Sequence, residues 1–223
     1  MYLTRFQINP ARRDARSMLA SPQKLHAAVM AAFPTTTPDS DSAAGRVLWR
    51  VDRHQHQVLL YVVSPHRPDL THLVEQVGWP TTHTWDTRDY QPLLDRITVG
   101  GQWAFRLRAN PVSSRRKTPD STRSQRFGHV TAAQQTDWLL TRAERHGFTM
   151  VVGEHKEPDV AVRGREHVTF KRQGSHVTLS TAVFEGHLEV LDAQALRTAL
   201  VTGIGPAKGY GCGLLTLAPV RRA

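Results

Sequence analysis

Apolar and polar positions alternate over residues 2–8, which predicts an opening strand, and then the period lengthens. Ser21-Pro22 forms a favourable cap and first helical position, and Leu25, Ala28, Val29, Ala32 and Phe33 supply an apolar stripe that ends at Pro34. Residues 35–45 are polar and read as a surface loop. Two apolar runs at 46–51 and 57–63, joined by a polar turn, predict a hairpin. A short helix near 69–77 and a strand near 82–90 complete the order β-α-β-β-α-β, that of a ferredoxin-like unit.

The same order returns in the second half. A strand over 101–110 is closed by Pro111, and a basic, Ser-rich tract follows at 113–128. Few apolar anchors lie in that tract, which predicts a segment that orders only when a partner arrives. A helix runs from about Thr131 to His146, with Trp138, Leu139 and Leu140 inward and Gly147 as its stop. Strands are expected at 148–152, 166–172 and 176–191, the last broken at Glu185-Gly186. Asp192 caps a helix to Thr202, and a glycine-rich bend leads into a final strand at 214–217. The pattern predicts an α+β protein of two tandem ferredoxin-like (RRM-like) domains, residues 1–92 and 98–223, dividing near 91–98.

Charge narrows the partners. The chain carries a formal net charge of +10, and its 29 basic residues comprise 24 Arg and 5 Lys. Arginine's planar fork matches phosphate oxygens and stacks on bases, so nucleic acid is the expected partner. Helix-turn-helix and basic-zipper signals are missing, which disfavours a DNA-binding regulator. No apolar stretch is long enough to span a bilayer, so no membrane partner is expected. A lone Cys212 and a start without signal-peptide character suit a reducing, cytoplasmic setting.

The densest motif is Gly203-Ile204-Gly205-Pro206-Ala207-Lys208-Gly209-Tyr210-Gly211-Cys212-Gly213. Glycines leave their amides uncovered, and consecutive amides make an anion-seeking concavity. Gly203, Gly205, Gly211 and Gly213 are therefore candidate contacts to a nucleic-acid phosphate backbone, with Lys208 the loop side chain best placed for a phosphate. Arg115, Arg116 and Lys117 in the basic tract are further nucleic-acid-binding candidates. His54 and His56 fall in a hairpin turn without a cysteine or carboxylate cluster and read as solvated, so neither metal nor other cofactor is expected.

Several segments together resemble the CasE family of CRISPR-associated endoribonucleases. They are the opening Met1-Tyr2-Leu3-Thr4, the strand Phe105 to Pro111, Val183-Phe184-Glu185-Gly186, and Gly203 through Pro219. The resemblance implies two ferredoxin-like domains and metal-independent cleavage of CRISPR precursor RNA at the base of a repeat hairpin. It implies products with 2′,3′-cyclic phosphate and 5′-hydroxyl ends, retention of the mature guide, and assembly with other Cascade subunits, the isolated protein being a monomer. His26 matches the histidine that this family uses in cleavage. Lys171 and Arg172, at the tip of a β-hairpin, match its basic RNA-gripping hairpin. Lys24, in the first turn of the same helix as His26, suits an expected phosphate better than it suits the helix dipole. Where the family often carries tyrosine, three residues before the histidine, this chain has Gln23, which cannot act as a general base. Lys171 or Tyr210 could supply the second catalytic group, and a non-catalytic RNA-hairpin-binding subunit is the alternative.

Overall fold

The computed structural model describes residues 1–33, 45–80, 85–116, 124–154, 156–172 and 174–220. In the first half, β1 (Tyr2–Ile8), β2 (Leu48–Arg53), β3 (Val58–Ser64) and β4 (Trp85–Asp89) form an antiparallel sheet in the order β2-β3-β1-β4. That order, with helices α2 (Pro22–Met30) and α3 (Thr71–Val77) as crossovers, is the ferredoxin-like arrangement. An additional helix, α1 (Arg13–Leu19), precedes α2. Its missed signal is Ala15, the only residue it buries; Arg13, Asp14 and Arg16 dominate the rest and hide the period.

The second half repeats the plan. Here β5 (Gln102–Ala109), β8 (Phe148–Met150), β10 (Ser175–Val190) and β11 (Leu215–Pro219) take the order β11-β5-β10-β8, with α5 (Ala132–Ala143) and α6 (Ala193–Thr202) as crossovers. An extra strand, β9 (Val160–Arg172), pairs with β10 beyond the reach of β8. It starts six residues earlier than the sequence pattern predicted. The two strands run outward as a hairpin whose ladder closes at Arg172 and Ser175.

Strand β10 is not broken at Glu185-Gly186. Gly186 instead permits close packing: a Cβ there would lie 2.0 Å from the Asp159 carbonyl oxygen. The irregularity falls between Thr181 and Val183, where the register shifts. The expected disorder of 113–128 is also corrected at 113–116 and 124–128, with 117–123 outside the described residues. Strands β6 (Val112–Arg116) and β7 (Ser124–Gly128) pair antiparallel, because main-chain ladder bonds need no apolar side chains. Lys117 lies outside the described residues, and so do 34–44, most of the expected surface loop.

The two sheets share buried material. One apolar cluster joins Leu48 and Val63 of the first sheet to Phe105, Leu107 and Phe184 of the second. The linking segment includes α4 (Gln91–Asp95), whose Leu94 enters that cluster together with Ile97. Arg50, only 2% exposed, ties the sheets more specifically. Its Nε and Nη2 donate to the two carboxylate oxygens of Asp52 at 2.7 and 2.9 Å. Its Nη1 donates to the carbonyls of Arg106 and Leu214, and Nη2 donates again to Thr216 Oγ1. Five donors thus meet five acceptors, the full capacity of a guanidinium.

Candidate nucleic-acid interface

Helix α2 begins as its sequence dictates. Ser21 Oγ accepts from the Lys24 amide, and Pro22 occupies the first turn, where its missing N–H costs nothing. Leu25 and Val29 are buried, which fixes the rotation of the helix. Gln23 and His26, three residues apart, then share another face. That face meets the single 3-10 turn Lys208–Tyr210 inside the glycine-rich bend. The place a Cβ would take on Gly209 is 3.7 Å from His26 Cε1 and 3.8 Å from Nε2. Residues far apart in the chain are therefore in contact here.

Between them lies an open cleft of about 540 Å³, lined by Gln23, His26, Arg46 and residues 205–210, Lys208 and Tyr210 among them. Arg46 is the residue that sequence reasoning missed. Its backbone amide is anchored on the Val201 carbonyl at 3.2 Å. Its Nε is enclosed and meets no acceptor among the described residues. Helix α6 and the bend, neither adjacent in sequence, flank it here.

The bend itself departs from expectation. The amide of Gly203 donates to Ala199, that of Gly211 to Lys208 and that of Gly213 to Arg108, so these three donors are spent inside the protein. Their glycines serve shape. Gly211 has φ of 77°, and a Cβ on it would lie 2.6 Å from the Trp49 ring. Gly203, with φ of 80°, would press a Cβ to 2.9 Å from Leu48 Cδ2. Gly205 alone of the four lines the cleft, joined by Gly209. Ala207 takes a left-handed φ of 64°, a conformation that costs a non-glycine residue roughly 1–2 kcal/mol.

Other expected site residues are placed elsewhere. Lys24 turns away from the cleft, its Nζ donating to Ser17 Oγ at 2.7 Å. Lys171 is exposed near the end of the β9–β10 hairpin and does not line the cleft. Arg172 ends β9, and Arg115 and Arg116 lie in β6; the positions of their side chains are outside the described set. The hairpin reaches the bend through Phe170, whose ring packs edge-on to Tyr210 at 4.8 Å. His54 and His56 are exposed, and among the described residues no three His, Cys, Asp or Glu side chains gather as a metal site.

Electrostatics separates this cleft from a second groove of about 170 Å³ lined by Arg53, Arg106 and Arg108. There Arg106 pairs with Glu185 at 3.1 Å and Arg108 with Glu166 at 2.9 Å. Among the described residues, no carboxylate lines the first cleft. Its positive field extends to the end of α5, where burial and then the charges of Arg145, Lys208 and Arg142 hold the His146 imidazole below its ordinary pKa. An anion entering the cleft meets the basic side chains of Arg46 and Lys208.

A family model described as CRISPR associated protein matches residues 1–219. The chain belongs to that family. It is 30% identical to the CRISPR-associated endoribonuclease Cse3 of Thermus thermophilus, an alignment covering 98% of this chain and 100% of that protein. It is 32% identical to the Cascade subunit CasE of Escherichia coli over 56% of this chain and 62% of that protein. A solved structure of Cse3 bound to a 19-nucleotide RNA superposes with a TM-score of 0.80 at 29% identity, covering 98% of this chain and 100% of the other. No helix among the described residues of this CRISPR-associated protein is long and apolar enough to cross a membrane.

Proposed function

We propose that the chain is the RNA-processing endoribonuclease of a Cascade complex, acting in the cytoplasm on CRISPR repeat RNA and remaining bound to its product. One observation carries the chemistry: His26, Arg46 and Lys208, from distant parts of the chain, line a single cleft with Gln23 and Tyr210. The relatives named as endoribonuclease and as Cascade subunit support the biological setting.

RNA carries its own nucleophile. The 2′-hydroxyl oxygen attacks the adjacent phosphorus, a new P–O2′ bond forms, and the P–O5′ bond breaks. His26 takes the 2′-hydroxyl proton, a task suited to an imidazole near neutral pH. Arg46 and Lys208 face the non-bridging oxygens, whose negative charge grows in the transition state. The leaving 5′-oxygen draws its proton from solvent, which the open cleft admits. The products are a 2′,3′-cyclic phosphate and a 5′-hydroxyl. Gln23 orients a hydroxyl or phosphate beside His26 but moves no proton, so Arg46 supplies charge stabilisation without replacing a base. The strand of RNA leaving the cleft passes the β9–β10 hairpin, where Lys171 and Arg172 hold the stem. An A-form stem hides its base edges, so this grip reads shape and phosphates.

His26→Ala tests the assignment on a synthetic repeat hairpin. Loss of a general base lowers the cleavage rate by roughly 10²- to 10⁴-fold while RNA affinity stays near that of the wild type. Unchanged cleavage removes His26 from the chemistry. A wild-type protein that binds the hairpin without cutting it is the non-catalytic subunit instead.

A further inference from the structure

Tyr210 borders the arginine-lined groove and two further cavities. One of these two is the His26 cleft; the other, of about 520 Å³, lies between the base of the β6–β7 hairpin and strands β9 and β10. Ala207 and Tyr210 line both, so the two spaces adjoin across one loop. Their characters differ sharply. The cleft holds Arg46, Lys208 and His26, whereas among the described residues no Asp, Glu, Lys or Arg lines the second pocket.

We propose that this second pocket holds an unpaired nucleobase of the RNA, from a nucleotide next to the scissile phosphate. The inference rests on the ribonuclease reading above and extends it to base recognition. A nucleotide divides into an anionic phosphate and a neutral, flat, largely apolar base, and the two cavities divide in the same way. The volume lies within the range of about 300–1,000 Å³ common for small-ligand sites.

The lining supplies what a base needs. Val177 and the buried Leu179 give an apolar floor on β10, and His167 of β9 adds an imidazole. Phe170 braces the Tyr210 ring at an interplanar angle of 60°, which holds the phenol as a stacking surface at little further cost in entropy. The polar group is Asn110, only 6% exposed. Its Oδ1 accepts from the Ser180 amide at 3.3 Å, which fixes the orientation of the side-chain amide. Its Nδ2 donates to no acceptor among the described residues, and the matching base edge carries a carbonyl or ring-nitrogen acceptor. Specific RNA readers combine such stacking with an edge-directed hydrogen bond on unpaired bases.

The test is a binding cycle with the His26→Ala protein, which keeps the RNA whole. Hairpin RNAs carry a single abasic nucleotide on one side or the other of the scissile bond, and Val177→Trp fills the pocket. One of the two abasic RNAs is expected to bind about 10-fold more weakly, within the range of about 1–3 kcal/mol per stacked base. Val177→Trp weakens the intact RNA to a similar degree and leaves that abasic RNA unchanged, which also shows the variant is folded. Losses below two-fold for both abasic RNAs, or equal weakening of intact and abasic RNA by Val177→Trp, overturn the pocket. Cleavage of intact RNA by the wild type is scored separately, so the base pocket can fail while the nuclease reading stands.

Discussion

Arg46 and Arg50 stand four residues apart on the same approach to the sheet, yet they do opposite things. Arg50 is buried, and each of its donors has an acceptor from Asp52, Arg106, Leu214 or Thr216. Arg46 lines an open cleft, and its Nε meets no acceptor among the described residues. A guanidinium whose donors are all satisfied has no capacity for a ligand and acts as a clamp. One whose donors are left over, beside a histidine and a lysine, is prepared for an anion. Residue type and spacing are identical in kind; only the surroundings distinguish structure from function.

The largest effect expected from this contrast is on folding. Arg50→Ala strips buried Asp52 of both its guanidinium hydrogen bonds, leaving only the longer 3.5 Å contact to Arg106 Nε, and should cost about 3–5 kcal/mol in denaturant unfolding. A loss below about 1 kcal/mol would mean that the clamp is dispensable and that its saturation carries no weight. Arg46→Ala should leave unfolding within about 0.5 kcal/mol and instead lower the single-turnover cleavage rate by roughly 10²- to 10³-fold, as for loss of one charge-stabilising donor. Arg46→Lys should recover part of that rate. If Arg46→Ala unfolds the protein as Arg50→Ala does, the contrast is broken.

The smallest effect concerns His146, which shares the positive field of the cleft. Its folded-state pKa lies below 6.5 through burial and the neighbouring Arg145, Lys208 and Arg142. The unfolded chain then binds the proton first, so stability falls as the pH drops through 6.5 and the loss levels off below the folded value. His146→Gln should flatten that part of the stability profile. Added phosphate, by screening the field, should flatten it too; an identical slope in wild type and variant contradicts the assignment.

The architecture was legible because it lives in periodicity. Alternation in Tyr2–Ile8, the stripe of α2 and the apolar pair β2–β3 each report a local choice, and two β-α-β-β-α-β orders follow from them. His26 was legible through the family resemblance and Lys208 through the glycine-rich motif, and the fold brings both together with Tyr210. What escaped was non-local. Nothing near Arg46 or Arg50 states which carbonyls and carboxylates will surround them. Gly203, Gly211 and Gly213 looked like anion-binding amides, yet Ala199, Lys208 and Arg108 accept their hydrogens. Lys24 looked directed at a phosphate, but Ser17 on the preceding helix, itself unread, receives it. The paired strands β6 and β7 were hidden because a basic, Ser-rich composition does not reveal main-chain ladders.

The central claim is that the His26 cleft cuts RNA through the RNA's own 2′-hydroxyl, and the ends of the product test it most directly. Repeat hairpin RNA is incubated with the wild-type protein in chelator, alongside the same RNA carrying one 2′-deoxy sugar immediately 5′ of the scissile phosphate. The account predicts cleavage of the first at one bond, with a 2′,3′-cyclic phosphate and a 5′-hydroxyl, and none of the second at that bond. Cutting of the deoxy-substituted RNA at the same position, or a 5′-phosphate on the product, would contradict it.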